Sequence, residues 1–166
     1  MRPPDNALQE WLDSCEDKLE ARLRALGTRL PRCSRPDCDE TNPFALTGIV
    51  PSILCYEHRA EENGRRWLED QHWFGQHNDP LTSPIPGNDH RVLSAFQDLW
   101  PRNTLRNAEA SPLLKAAAAL RAWLDVMRFI VDRVVGWVPP FLEWLDRALV
   151  EQLSPRWWDD LGWDPQ

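Results

Sequence analysis

The sequence predicts a mainly α-helical protein with a small β component, and three observations lead there. Apolar residues recur with helical spacing over long stretches near both ends of the chain. Between them, residues 31–58 lose that periodicity to Pro, Asp, Asn and Thr and hold only a short strand-like run, "GIVPSILCY". Residues 69–91, "EDQHWFGQHNDPLTSPIPGNDHR", then gather three of the four histidines and two asparagines between two short runs that read as strands.

The first helix is expected over Asn6–Leu26. Leu8, Trp11, Leu12, Cys15, Leu19, Leu23 and Leu26 share one face, Asp5 or Asn6 caps the start, and Gly27 closes the end. Cys15 reads as a small core residue in that stripe. Residues 59–67 suggest a short helix or turn. "HWFG" and "LTSPIPG" suggest two strands joined by the turn "QHNDP". Asn88 or Asp89 then caps a helix carrying Val92, Leu93, Phe96 and Leu99, and Pro101 stops it. Ser111-Pro112 is a helix start, with a capping hydroxyl and proline at the first helical position. The helix is expected to run to about Trp137, with Leu113, Ala117, Leu120, Leu124, Met127, Val131 and Val134 as its packing stripe. Trp123, Ile130 and Trp137 widen that stripe. Pro139-Pro140 breaks the helix, and Phe141–Leu153 forms another. The tail and last helix are expected to fold back over the second row, leaving a Trp patch for a partner. The organisation is a helix over 1–30, a central region over 31–110, and a helical C-terminal arm over 111–166 with a Trp-rich tail.

Composition narrows the function classes. The 166 residues carry a net charge of −7, and no block is strongly basic. A protein that coats nucleic acid by bulk electrostatics is thereby excluded. Any nucleic-acid contact rests on local arginines, with Arg65, Arg66 and Arg91 the candidates and Arg59, Arg102 and Arg106 nearby. Ten tryptophans point to large aromatic surfaces, for packing or for a partner. The polar, acidic N-terminus offers no secretory signal, and no apolar run approaches spanning length, so no membrane association and a cytoplasmic location are expected.

In that compartment clustered cysteines suggest metal sooner than disulfides. Cys33-x4-Cys38-x16-Cys55-x2-His58 has zinc-ligand form. Two short-spaced pairs supply the four soft or borderline donors of a tetrahedron and leave no position open for water, so the expected zinc is structural. The segment between the pairs has little core of its own, and metal binding would supply its folding energy.

A cysteine cluster, "CSRPDCDE" with "CYEHR", followed by "EDQHWFG" and "TSPIPGNDHR", resembles the HNH endonuclease family. More narrowly, the chain is similar to bacterial HNH-like proteins with an N-terminal zinc-binding cluster, a resemblance that extends into "SPLLKAAAALRAWLD". The resemblance implies a ββα-metal (HNH-like) core flanked by amphipathic helices. It places the catalytic base on His72 and a metal ligand on His90, with Asn88 or Asn78 orienting the base. It implies Mg2+ or another divalent cation that polarises the phosphate. The residue before His72 is Gln71, where the family has Asp or His, and an amide oxygen is a poor ligand for a hard cation. Either Asp70 is recruited as a ligand through a local bulge, or the metal site is weakened, or it is lost. Two function classes follow: a metal-dependent nuclease acting on nucleic-acid phosphodiesters, or a degenerate HNH-like zinc scaffold that works as a protein-interaction module. In either class residues 111–166 offer a surface for a protein partner or self-association.

Overall fold

In a computed structural model, described here over residues 7–160, the protein is mainly helical with two small antiparallel sheets. The side chains of residues 7–12 and 160 are not described, so the expected cap at Asp5 or Asn6, the packing of Leu8, Trp11 and Leu12, and Trp163 lie outside the described residues. The chain divides into two compact units, residues 1–126 and 127–166.

In the first unit, helix α1 (Ala7–Leu26) ends at Gly27, which has φ +74°. Arg22 donates to the carbonyls of Pro43 and Leu46, and Leu26 is fully buried. Lys18 donates to the Ala95 carbonyl at 2.8 Å, which ties the same helix to the later helix over Gly87–Gln97. The strand-like run becomes a hairpin, β1 (Leu46–Ile49) paired with β2 (Ser52–Cys55), and it turns through Val50-Pro51. Leu26, Leu46, Ile53 and Leu54 then close a small apolar core together with Cys33 and Cys55. Helix α2 (Tyr56–Glu62) starts directly on Cys55, three residues ahead of the expected short helix or turn at 59–67.

Strand β3 (Leu68–His72) pairs antiparallel with β4 (Thr82–Pro86), and helix α3 (Gly87–Gln97) follows at once. Here the structure corrects two expected boundaries. The strand ends at His72 instead of running through "HWFG", because the chain turns at Gly75. Gly75 has φ +79°, a conformation open to glycine, and its N–H donates back to the His72 carbonyl at 3.2 Å. Helix α3 begins at Gly87, with Pro86 at the cap position and no side-chain cap, so Asn88 and Asp89 lie inside its first turn. Gly87 passes close beneath the Trp67 carbonyl, where a Cβ would come within 3.0 Å. Val92, Leu93, Ala95 and Phe96 are the buried face of α3.

Helix α4 (Arg102–Arg106) ends on Asn107, which adopts φ 38°. The Asn107 amide donates to Asn78 Oδ1 at 3.0 Å, and its Oδ1 accepts from the Ser111 N–H at 2.9 Å. Asn78 in turn donates to the Thr104 carbonyl at 2.9 Å. This buried amide network ties the 73–81 loop to the start of helix α5 (Pro112–Phe129).

Helix α5 overturns the expected packing stripe. Leu113, Leu120 and Leu124 are exposed, and Trp123 is 64% exposed. The buried positions are Ala118, Ala122 and Asp125, spaced i, i+4, i+7. The reason is Trp100. Its indole needs small residues for close approach and a hydrogen-bond acceptor for its N–H. Ala118 and Ala122 supply the first, and Asp125 Oδ2 accepts from Nε1 at 2.7 Å. In the second unit a π-type segment (Ile130–Val135) leads to helix α6 (Val138–Gln152) and the short helix α7 (Trp157–Asp160). Pro139 and Pro140 lie in the first turn of α6, where missing N–H groups cost nothing, so they start this helix. The second row is not covered either: Ile130 is 38% and Trp137 60% exposed.

Replacing Trp100 with Phe keeps most of the ring packing and removes one hydrogen bond to a carboxylate. A loss of about 1.5–3 kcal/mol is expected, read from the midpoint of urea unfolding. A midpoint unchanged from wild type would show that Asp125 does not anchor α5 through this indole.

Candidate metal centre and histidine cleft

Cys33, Cys38, Cys55 and His58 come together. Their ligand atoms lie within 4.8 Å of one another, close enough to hold one metal ion, and they are the one such group of His, Cys, Asp and Glu among the described residues. Local structure explains the convergence. Cys55 is both the last residue of β2 and the cap of α2, and its Sγ accepts from the His58 N–H at 3.4 Å. One helical turn therefore brings the imidazole back over the thiol, with Nδ1 3.2 Å from Cys55 Sγ and 3.5 Å from Cys33 Sγ. The first loop is held in reach by the Cys33 N–H donating to the Glu40 carbonyl at 3.0 Å. Cys33 Sγ also accepts from the Cys55 N–H at 3.4 Å.

The electrostatics suit a cation. Burial pushes the Cys33 thiol up, but hydrogen bonds from the backbone of Arg35 and Cys55, with help from His58 and Cys38, outweigh it and bring the thiol down to about 7. Burial pushes Cys38 up to about 12, and the neighbouring Cys33 and Cys55 sulfurs add to it against a backbone hydrogen bond from Glu40. A divalent metal held between the sulfurs would favour their thiolate forms and release the protons. The three-thiol, one-imidazole donor set is consistent with structural zinc. Cys15, the fourth cysteine, is half-buried and apart from this group.

The second site is a cleft of about 320 Å³ lined by Gln71, His72, His77, His90, Gln97 and Arg106, among others. Strand β3 brings His72 there from its last residue, and the first turn of α3 brings His90. His90 Nδ1 lies 2.8 Å from Glu69 Oε2, and Glu69 Oε1 accepts from Arg91 at 2.9 Å. Burial lowers the His90 pKa from its usual value, and Arg91 and His72 add to the lowering, while Glu69 and a hydrogen bond with the Asp70 backbone oppose it. Gln71 is fully buried. Its Nε2 donates to the His72 carbonyl at 3.1 Å and its Oε1 has no hydrogen-bond partner. Gln97 donates to the carbonyls of both His72 and Trp73, at 2.7 and 3.0 Å, and so fixes the end of the strand against α3.

The remaining candidates are placed elsewhere. Asn88 Oδ1 accepts from the Glu57 N–H at 3.2 Å, and Glu57 Oε1 accepts from the Asn88 N–H at 3.3 Å, so this asparagine staples α2 to α3. Asn78 belongs to the Asn107 network, and His72 Nδ1 is buried without a hydrogen-bond partner. Asp70 is exposed, one residue out of phase with Glu69 and Gln71. Arg65 and Arg66 are exposed, whereas Arg91 is held by Glu69 and lies 4.6 Å over the Tyr56 ring. A larger cleft of about 410 Å³ between α1 and α3 is lined by Lys18, Arg22 and Arg91. Each of these cations bonds a backbone carbonyl or a carboxylate, so that cleft offers no open cationic site. Glu69 is the residue that sequence reasoning missed. Its signal was the i, i+2 spacing to Gln71, which puts both on one face of a strand.

No family model matches the chain, and no curated protein or solved structure is similar to it. No described helix is long and apolar enough to cross a membrane.

Replacing Cys33 with Ser should lower bound metal in the purified protein and its thermal midpoint together. Elemental analysis beside a melting curve, with and without chelator, checks this. Full metal content with an unchanged midpoint would remove Cys33 from the ligand set. The His90 shift has a pH consequence for the metal-free protein. Its folded pKa lies below the usual value of about 6.5, so on acidification the unfolded chain takes up the proton first. The stability tied to neutral His90 is present above that value and is lost as pH falls through the folded pKa. His90→Gln should flatten the dependence of unfolding free energy on pH below about 6.5, measured by urea titration at a series of pH values.

Proposed function

We propose that the protein is a metal-dependent, HNH-type nuclease, with zinc at the cysteine cluster as a structural element and the histidine cleft as its active site. The observation that carries this reading is that His72 and His90 line one cleft, at the junction of an antiparallel strand pair and the helix that follows it. The Glu69–His90 contact supports it. Glu69 Oε2 lies 2.8 Å from His90 Nδ1, near enough for its charge to act on the ring although the geometry is not that of a hydrogen bond, and ligand histidines commonly have a carboxylate neighbour. The lowered His90 pKa keeps the ring neutral near pH 7, the form a metal requires.

In this reading His90 would hold a divalent cation, Mg2+ being one candidate. The cation would stabilise charge developing on the phosphodiester. His72 accepts a proton from the attacking water. Glu69 places a carboxylate beside His90, Gln97 holds the strand end that carries His72, and exposed Arg65 and Arg66 lie on the approach to β3 for a phosphate backbone to meet. The acidic net charge limits such contacts to local ones.

A second reading, a degenerate scaffold that binds a protein partner, is favoured by Gln71. The carboxamide stands where the resemblance places Asp or His, and it is buried with one amide hydrogen bond already made to His72. A nuclease assay with Mg2+ or Mn2+ on duplex DNA, single-stranded DNA and RNA separates the two. Under the first reading His72→Ala loses on the order of a hundredfold or more in rate. Glu69→Gln weakens cation affinity by roughly 10–100-fold, and Gln71→Asp strengthens it. A wild type that is inert on every substrate, with a Gln71→Asp variant that binds no cation by calorimetry, leaves the scaffold reading.

A further inference from the structure

In the second unit, residues 127–166, no described residue is buried. A segment this short has too little interior to fold alone, and such segments are usually completed by a metal, a disulfide or oligomerisation. Its cysteine count is zero, and among the described residues its carboxylates form no cluster that could hold a cation. What it does carry is an aromatic row. Trp137, Phe141 and Trp144 are spaced i, i+4, i+7 along the start of α6 and are 60%, 42% and 56% exposed. Their rings already touch: the Trp137 and Phe141 centroids are 5.7 Å apart at 63°, and those of Phe141 and Trp144 are 5.9 Å apart. In the sequence Met127, Ile130 and Val134 extend the same three-four alternation toward the N-terminus, and all three are exposed.

We propose that this row is a self-association surface, on which residues 127–144 pair antiparallel with the same residues of a second copy about a two-fold axis. Three observations select a second copy. The alternation is the seam spacing that a partner helix fills, knob into hole. The row leaves Trp137, Phe141 and Trp144 each more than two-fifths exposed, and aromatic rings of this size dominate the energetics of interfaces. The charges are self-complementary. Near the row's start stand Arg128 and Arg133 against Asp132, and near its end Glu143, Asp146 and Glu151 against Arg147. A two-fold antiparallel pair sets the basic end of one copy beside the acidic end of the other, whereas a parallel pair sets like beside like. A lipid surface calls for a polar face rich in Lys and Arg, and in this unit carboxylates outnumber arginines.

The test is sedimentation velocity with light scattering on the full chain at increasing concentration. The wild type is expected to reach a dimer mass, and Trp137→Glu with Trp144→Glu to remain a monomer. Unchanged metal content and unchanged helical circular dichroism in that variant separate loss of pairing from loss of fold. Arg133→Glu should raise the dimer Kd about tenfold, and adding Glu143→Arg should restore it. A wild type that stays monomeric at every concentration overturns the proposal, as does a double variant that still dimerises. Binding of the monomeric wild type to phosphatidylcholine–phosphatidylserine vesicles, lost in the double variant, overturns it in favour of a membrane surface. A charge reversal that fails to restore pairing overturns the antiparallel arrangement. None of these readings depends on nuclease activity.

Discussion

Three thiols and one imidazole held within 4.8 Å of one another organise most of the first unit. Cys33 and Cys55 are at once donor atoms and members of the apolar core with Leu26, Leu46 and Ile53. The loop between Pro31 and Asn42 contributes little apolar surface of its own. A metal ion held by the cluster would take the place of the larger interior that a region of this size lacks. The same cluster fixes the N-terminus of α2, because Cys55 caps that helix and His58 completes its first turn.

From α2 the constraint passes to the cleft through a short chain of contacts. Glu57, between the two ligands, exchanges hydrogen bonds with Asn88 in the first turn of α3. Two residues on, His90 meets Glu69 of β3, and Arg91 grips the other oxygen of the same carboxylate. At the far end of α3, Gln97 holds the carbonyls where β3 ends. Strand, helix and cluster are thus tied at three places, and these ties position His72 and His90 at the cleft. Pre-organisation of this kind is what either reading of the site requires, since a metal ligand and a recognition surface both fail when their support is loose.

The contrast between the two units is one of interior. The first closes around sulfur, aliphatic side chains and a buried amide network through Asn78 and Asn107. The second has helices and aromatic contacts but no buried residue among those described. Secondary structure in it is supported by local devices: prolines in the first turn of α6, and the Trp157 indole donating to Asp146 at 2.9 Å. Local devices of this kind stabilise helices weakly, and apolar burial is what normally holds them.

Local chemistry alone determined the cysteine cluster, whose paired spacing admits few arrangements other than a shared ion, and the helices, whose periodicity and Ser111-Pro112 start are properties of neighbouring residues. It also determined that His72 and His90 fall on adjoining elements. The tertiary structure decided what depended on distant partners. The packing face of α5 looked settled by its Leu and Trp stripe, yet Trp100 required small residues and an acceptor and so selected Ala118, Ala122 and Asp125. Asn88 had the residue type of a cap or an orienting amide, and Glu57, thirty-one positions away, made it a staple between helices. Glu69 had no motif to mark it, because a carboxylate beside a histidine arises only when a strand and a helix remote in sequence are brought together. Hydrophobic pattern specifies that a face will be buried, but steric fit and hydrogen-bond satisfaction, which are non-local, choose which face and against what.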